Sequence, residues 1–164
     1  MGVLNVLGVI FLQGDSCKEI YRDPNSGMLA MGSLYTSGFF LGLFEAYCTI
    51  ADTWGDLKGQ FRFIGVMAES PLTSFLVGFL GAIVFWMVFT VLGAFIVGKR
   101  DGSFSGVAVV TACATVPLGV TLLFPILHSA GVRFLLGIDI GWLFTLVAFV
   151  WAVVAEVRAI MAIP

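Results

Sequence analysis

Residues 71–117 read PLTSFLVGFLGAIVFWMVFTVLGAFIVGKRDGSFSGVAVVTACATVP, and their pattern sets the class of the whole chain. Positions 71–98 carry no charge over 28 residues. As a helix they would extend roughly 42 Å, against the ~30 Å that a hydrocarbon core requires, so a tilted or protruding membrane helix is expected. Ser70 can cap the free amides of the first turn, and Pro71 at the first helical position loses no hydrogen bond. GKRDGSFS then reads as a tight hydrated reversal, after which the chain returns to apolar sequence with Phe104 at the interface. The stretch is a membrane hairpin.

Composition points the same way. With 60% hydrophobic residues, 11% charged residues and a mean hydropathy of +1.08, the chain has too little polar material to cover a soluble globule. Lipid or partner subunits must solvate it. A net charge of -2 and a pI near 5.1 exclude the basic face that nucleic acid demands. Cys17, Cys48 and Cys113 fall in three separate segments with no CxxC spacing, so they read as free thiols behaving as small hydrophobes.

Working outward from the hairpin gives an all-α integral membrane protein with four spans, at about 28–51, 71–98, 105–127 and 134–157, in one domain. Residues 1–27 form an interfacial leading segment. Within it, residues 2–12 are apolar but too short to cross, and lack the basic flank and cleavage pattern of a signal peptide. SCKEIYRD mixes charges around Ile20 and Tyr21 as a solvated surface helix does, and Pro24-Asn25-Ser26-Gly27 ends it. Residues 56–68, with Leu57, Phe61, Ile64 and Ala68 at helical spacing, predict a second interfacial helix.

The first span carries Gly38 and Gly42 as a GxxxG pair, a surface on which helices in lipid approach closely. Phe40 falls on the other face. The fourth span repeats the device with Gly137, Gly141, Thr145, Ala148, Ala152 and Ala155, and Asp139 falls almost opposite that face; a start at Asp139, with its side chain as the cap, is the alternative to one near Phe134. In the third, Pro117 removes an amide donor from mid-span and predicts a kink that frees the Cys113 carbonyl. Glu156 and Arg158 are read as closing the fourth span at its aqueous end.

The turn G-K-x-x-G-S-F after an apolar helix, followed by a span of small residues with a central proline, resembles the Yip1-domain family of multispanning membrane proteins. The leading stretch VIFLQGDSCKEIYRDPNSG is similar to that family's approach segment, with its apolar LF-type pair, short amphipathic helix and proline. Together these cover most of the chain. The resemblance implies a membrane organiser or scaffold that acts through partner proteins in trafficking or bilayer remodelling, using its small-residue faces.

One polar constellation stands out. At 100° per residue Glu45 lies within about 20° of Gly38 and about 60° of Gly42, so it faces the bundle. Glu45 and Asp139 fall in the same half of the membrane, with His128 and Arg133 on that side. An ion pair of Glu45 or Asp139 with Arg133, or hydrogen bonds from Tyr47, Thr49 or His128, would satisfy the carboxylates. A divalent metal on Glu45, His128 and Asp139, or a proton relay through Glu45, are the other readings. No GxSxG, GxxxxGK[ST] or HExxH motif occurs, which argues against an enzyme and against a bound cofactor.

Three function classes remain: the Yip1-like organiser, an accessory subunit of a large membrane complex, and a small transporter or ion pathway using Glu45 and Pro117. The expected partners are the bilayer and other membrane subunits or further copies of the chain. With four spans, Lys18, Arg22, Lys99, Arg100 and Arg158 share the side of both termini, and Lys58, Arg62 and Arg133 lie opposite. That bias places the termini in the cytoplasm.

Overall fold

The computed structural model describes residues 8–9, 14–23, 25–51, 70–97, 104–132, 134–135 and 138–163. Helix α1 spans Gly14–Arg22, α2 Ser26–Ile50, α3 Pro71–Val97 and α4 Phe104–Ala114. A 3-10 segment, Val116–Leu122, leads into α5, Leu123–Ser129, and α6 runs over Ile140–Ala162. Four stretches are long and apolar enough to cross a membrane: Ser26–Ile50, Pro71–Val97, Phe104–Ser129 and Leu143–Ala162. The predicted interfacial helix at 56–68 and the GKRDGS turn lie outside the described residues, as does most of 2–12.

The four long stretches alternate in direction. Thr49 of α2 meets Ser74 of α3, whereas Gly38 sits against Phe79, so these two run antiparallel. Thr90 of α3 meets Thr111 of α4 whereas Gly93 faces Val107, so these two are also antiparallel, and the long Trp86 side chain donates from its ring Nε1 to the Ala108 carbonyl at 2.9 Å. Ile140 packs with Phe44, Cys48 and Phe124, whereas Ala155 and Ala159 pack with Ala30, Leu34 and Cys113, so α6 runs antiparallel to α2. The result is an up-down-up-down bundle. Both extremes of the described chain lie at one end of it: a Cβ built on Gly14 would stand 3.7 Å from that of Ala162.

Local chemistry accounts for the boundaries. Ser70 accepts from the Thr73 amide at 3.2 Å and so caps α3 ahead of Pro71, as the sequence predicts. The α1–α2 corner is held by the Ser26 hydroxyl, 2.6 Å from the Asp23 carbonyl and 3.0 Å from that of Ile20. Helix α5 stops where Gly131, at φ +84°, lets the Gly131 and Val132 amides bond back to the carbonyls of His128 and Leu127. That is a Schellman C-terminus, for which the left-handed glycine is required.

Several expectations change. The predicted third span is one stretch in space, but Pro117 converts its middle to 3-10 geometry instead of a simple kink. The Leu118 amide bonds to the Thr115 carbonyl, and the Thr115 hydroxyl lies 2.8 Å from the Ala112 carbonyl, so the threonine serves that group and not Cys113. Of the two starts the sequence leaves open, the fourth helix takes the later: it begins at Ile140, directly after Asp139, and not near Phe134. Phe134–Leu135 and Ile138–Asp139 pair as a two-residue antiparallel ladder, which is the one departure from an all-helical fold among the described residues. The same helix continues to Ala162, so Glu156 is not at its aqueous end.

Helix α1 is more than a surface element. Asp15, Lys18, Glu19 and Arg22 are exposed, as a solvated face requires, but Cys17 and Ile20 are buried against α4 and α6. Val9 is buried in the same cluster. Tyr21 lies directly over Gly106, where its ring occupies the place of a side chain.

Candidate functional site

The closest approach in the bundle is the α2–α3 crossing. A Cβ on Gly42 would stand 2.7 Å from the Phe75 carbonyl oxygen, and one on Gly78 would stand 2.7 Å from the Leu41 carbonyl oxygen and 2.9 Å from the Gly42 Cα. Backbone therefore rests on backbone, which only glycine permits. Gly38 is nearly as close, with Phe79 at 3.1 Å. Glu45 belongs to this crossing: its Cγ would be 2.8 Å from a Cβ on Gly78. The carboxylate is half-buried on the side turned toward α3.

The groups expected to satisfy Glu45 have other partners. The Tyr47 hydroxyl is 2.8 Å from His128 Nδ1, with the Phe124 ring edge-on to Tyr47 and tilted against His128. The Thr49 hydroxyl is 2.6 Å from that of Ser74. Arg133 lies outside the described residues, and Asp139 is placed here by its backbone pairing with Phe134. Among the described residues no group of three or more His, Cys, Asp or Glu side chains gathers as a metal site. Gly137 also lies outside them. Gly141 and Ala148 are buried along α6, in line with Ala152, Ala155 and Ala159. Phe40, on the face of α2 away from Gly38 and Gly42, packs against the 3-10 segment, where a Cβ on Gly119 would stand 3.1 Å from its ring.

A second polar centre, which the sequence reading missed, lies in the half of the bundle nearer the termini. Glu156 is 0% exposed, and neither carboxylate oxygen has a hydrogen-bond partner among the described residues. Cys113, also 0% exposed, lies beside the Ser33 hydroxyl and packs in one cluster with Cys17, Ala155 and Ala159. The thiols that spacing separates are thus brought into one cluster by α1 folding over α4 and α6. From this cluster a line of hydroxyls leads inward. Ser37 donates to the Ser33 carbonyl at 2.7 Å, and its oxygen is 3.2 Å from the Thr115 hydroxyl.

Cys17 lies outside the four long stretches, and burial pushes its thiol up to about 11. It is a poor nucleophile while α1 is docked. The sequence signal for the buried centre was present: Glu156 follows Ala148, Ala152 and Ala155 beside the small-residue face, about 40° from Ala152. The glycine crossing had an equally legible counterpart, Ser74, Gly78 and Ala82 at spacings of four, all buried in α3.

No family model, curated protein or solved structure matches this chain.

Proposed function

We propose that the protein is a non-catalytic, multi-pass membrane protein that acts by lateral association with other membrane subunits. This is the organiser role that its Yip1-like motifs imply. The observation supporting it is a pair of outward glycines. Gly32 in α2 and Gly81 in α3 both have open space where a Cβ would stand. Thr36, one turn beyond Gly32, is exposed on the same flank. A glycine within a helix is about 1 kcal/mol less favourable than alanine and offers lipid no side chain to pack against. It is useful where a second helix comes close.

The exposed neighbours Met28, Met31, Tyr35 and Phe39 would border such a contact with flexible and aromatic surface. An accessory subunit of a larger membrane assembly would use the flank in the same way. Native mass measurement after extraction in mild detergent tests the reading. The wild type should run as a hetero-complex or homo-oligomer, and Gly32→Leu should release a folded monomer. A wild type that is monomeric, or a Gly32→Leu variant that retains every partner, contradicts it.

A further inference from the structure

Glu156 stands midway along the row of α6 that runs from Ala152 to Ile160, and the contacts at the two ends of that row fix what it faces. One turn before it, Ala152 packs with Ala82 of α3 and Leu118 of the 3-10 segment. One turn after it, Ile160 packs with Val97 and Val107, and a Cβ built on Gly93 would stand 2.8 Å from Val107 and 3.0 Å from Ile160. Helix α6 therefore runs parallel to α3 and antiparallel to α4. One turn back from the Ile160 contact lie Glu156 on α6, Thr90 on α3 and Thr111 on α4. All three are buried, at 0%, 3% and 0% exposure, and they fill one level of the crevice where the three helices meet.

The polar atoms at this level offer lone pairs and no positive charge. The Thr111 hydroxyl donates to the Val107 carbonyl at 2.9 Å and lies 2.8 Å from the Thr90 hydroxyl, which then donates to it, so both hydroxyl protons are committed. Neither Glu156 oxygen has a hydrogen-bond partner among the described residues. Helices α2, α3 and α4 carry no lysine, arginine or histidine, Lys18 and Arg22 of α1 are exposed, and Arg158 is exposed on the opposite flank of α6. Further oxygens come from the break at Pro117. In a continuous helix the carbonyls of Cys113 and Ala114 would accept from the amides of residues 117 and 118, but Pro117 has no amide hydrogen and the Leu118 amide goes to Thr115. A long helical side chain leans toward the N-terminus of its own helix, here from Glu156 toward Ala152 and so toward that break.

We propose that Glu156, Thr90 and Thr111 form an internal binding site for one small monovalent cation of the sodium type, completed by the carbonyl oxygens freed at Pro117. One carboxylate balances one positive charge, and neutral hydroxyl and carbonyl oxygens are the hard ligands that replace water around such an ion, as they do where membrane helices are interrupted. A divalent ion would leave a positive charge uncompensated, because Glu45, the other carboxylate within a long stretch, lies at the α2–α3 crossing beside Gly78. The bound ion ties α3, α4 and α6 together at one level. The site is internal, so its occupancy does not depend on the lateral association proposed above.

The test is binding of radioactive sodium by the full-length protein in detergent micelles, at constant ionic strength with N-methylglucamine as the replacing cation, alongside thermal unfolding. Wild type should bind one sodium ion per chain saturably and unfold at a temperature that rises with sodium. Glu156→Gln should abolish both effects, whereas Glu19→Gln, which alters an exposed carboxylate of α1, should change neither. Thr90→Val should weaken binding about tenfold, and Thr90→Ser, which keeps the oxygen, should retain it. Affinity should fall by up to about tenfold per pH unit on acidification, as protons compete for the one carboxylate. If Glu156→Gln does not fold, the two Thr90 variants decide. No saturable sodium binding by wild type between about pH 6 and about pH 9 overturns the proposal. So does binding that survives Glu156→Gln, or that is equal in Thr90→Val and Thr90→Ser. A protonated carboxyl band in the infrared that persists unchanged at high sodium shows that the site holds only a proton, and overturns it as well.

Discussion

Replacing Gly78 by alanine probes the close backbone-to-backbone approach of α2 and α3. The added Cβ would stand 2.7 Å from the Leu41 carbonyl oxygen, where ordinary contact begins at 3.4 Å, so α2 and α3 must separate locally by at least 0.7 Å. Neither neighbour can turn aside, because both are backbone. A gap of 0.5–1 Å forfeits roughly a quarter to a half of the dispersion energy of each contact it opens, and overpacking of this kind costs typically about 1–3 kcal/mol. Alanine's better helix propensity returns about 0.5–1 kcal/mol. The net expectation is a loss of about 1–2 kcal/mol. Gly81→Ala, with nothing within 4 Å, should be neutral or slightly stabilising. Denaturant unfolding of both variants in detergent micelles, followed by tryptophan fluorescence, measures the difference. Gly42→Ala combined with Gly78→Ala should cost less than the two separately, since one separation relieves both clashes. The reasoning fails if Gly78→Ala matches wild type, or if Gly81→Ala is equally damaging.

The Thr90 and Thr111 hydroxyls are 2.8 Å apart in the interior, so Thr90→Val should cost about 0.6 kcal/mol in the same unfolding assay, the average for such pairs in membrane bundles. Tyr47→Phe removes the partner of His128 Nδ1 and should cost about 1 kcal/mol, with a visible shift of the His128 ring resonances. Burial holds the Cys17 thiol at about 11 against an ordinary 9.0, so its neutral form is favoured in the folded state. The contribution is fully present below about pH 9 and is lost as pH rises through about 11. Cys17→Ala should therefore flatten the alkaline part of the stability profile while lowering the neutral part by the packing of one buried sulfur.

The long helices were legible because charge-free runs of this length have few alternatives. Ser70-Pro71 fixed one helix start, and Gly131 fixed one stop. Less legible was the start of α6: Phe134–Leu135 is as apolar as any span, and only the pairing with Ile138–Asp139 keeps it extended. The face of Glu45 followed from helical periodicity, but its neighbour Gly78 did not, because periodicity gives a direction without naming the opposing helix. That the face carrying Phe40 also packs was hidden for a related reason. Two GxxxG residues define one packed face, while α2 also packs against the 3-10 segment on another. Glu156 was obscured by its position near the chain's end. Six further helical residues carry α6 past it, and its complete burial depends on tertiary contacts that spacing alone does not reveal.

The central claim is that these four stretches cross a membrane with both ends of the chain on one side. Single cysteines placed in a cysteine-free background at Asn25, Gly102, Lys58 and Ser129 test it directly, using an impermeant thiol reagent on sealed vesicles. Asn25 and Gly102 should label from one side, and Lys58 and Ser129 only from the other. Labelling of all four from the same side would contradict the account.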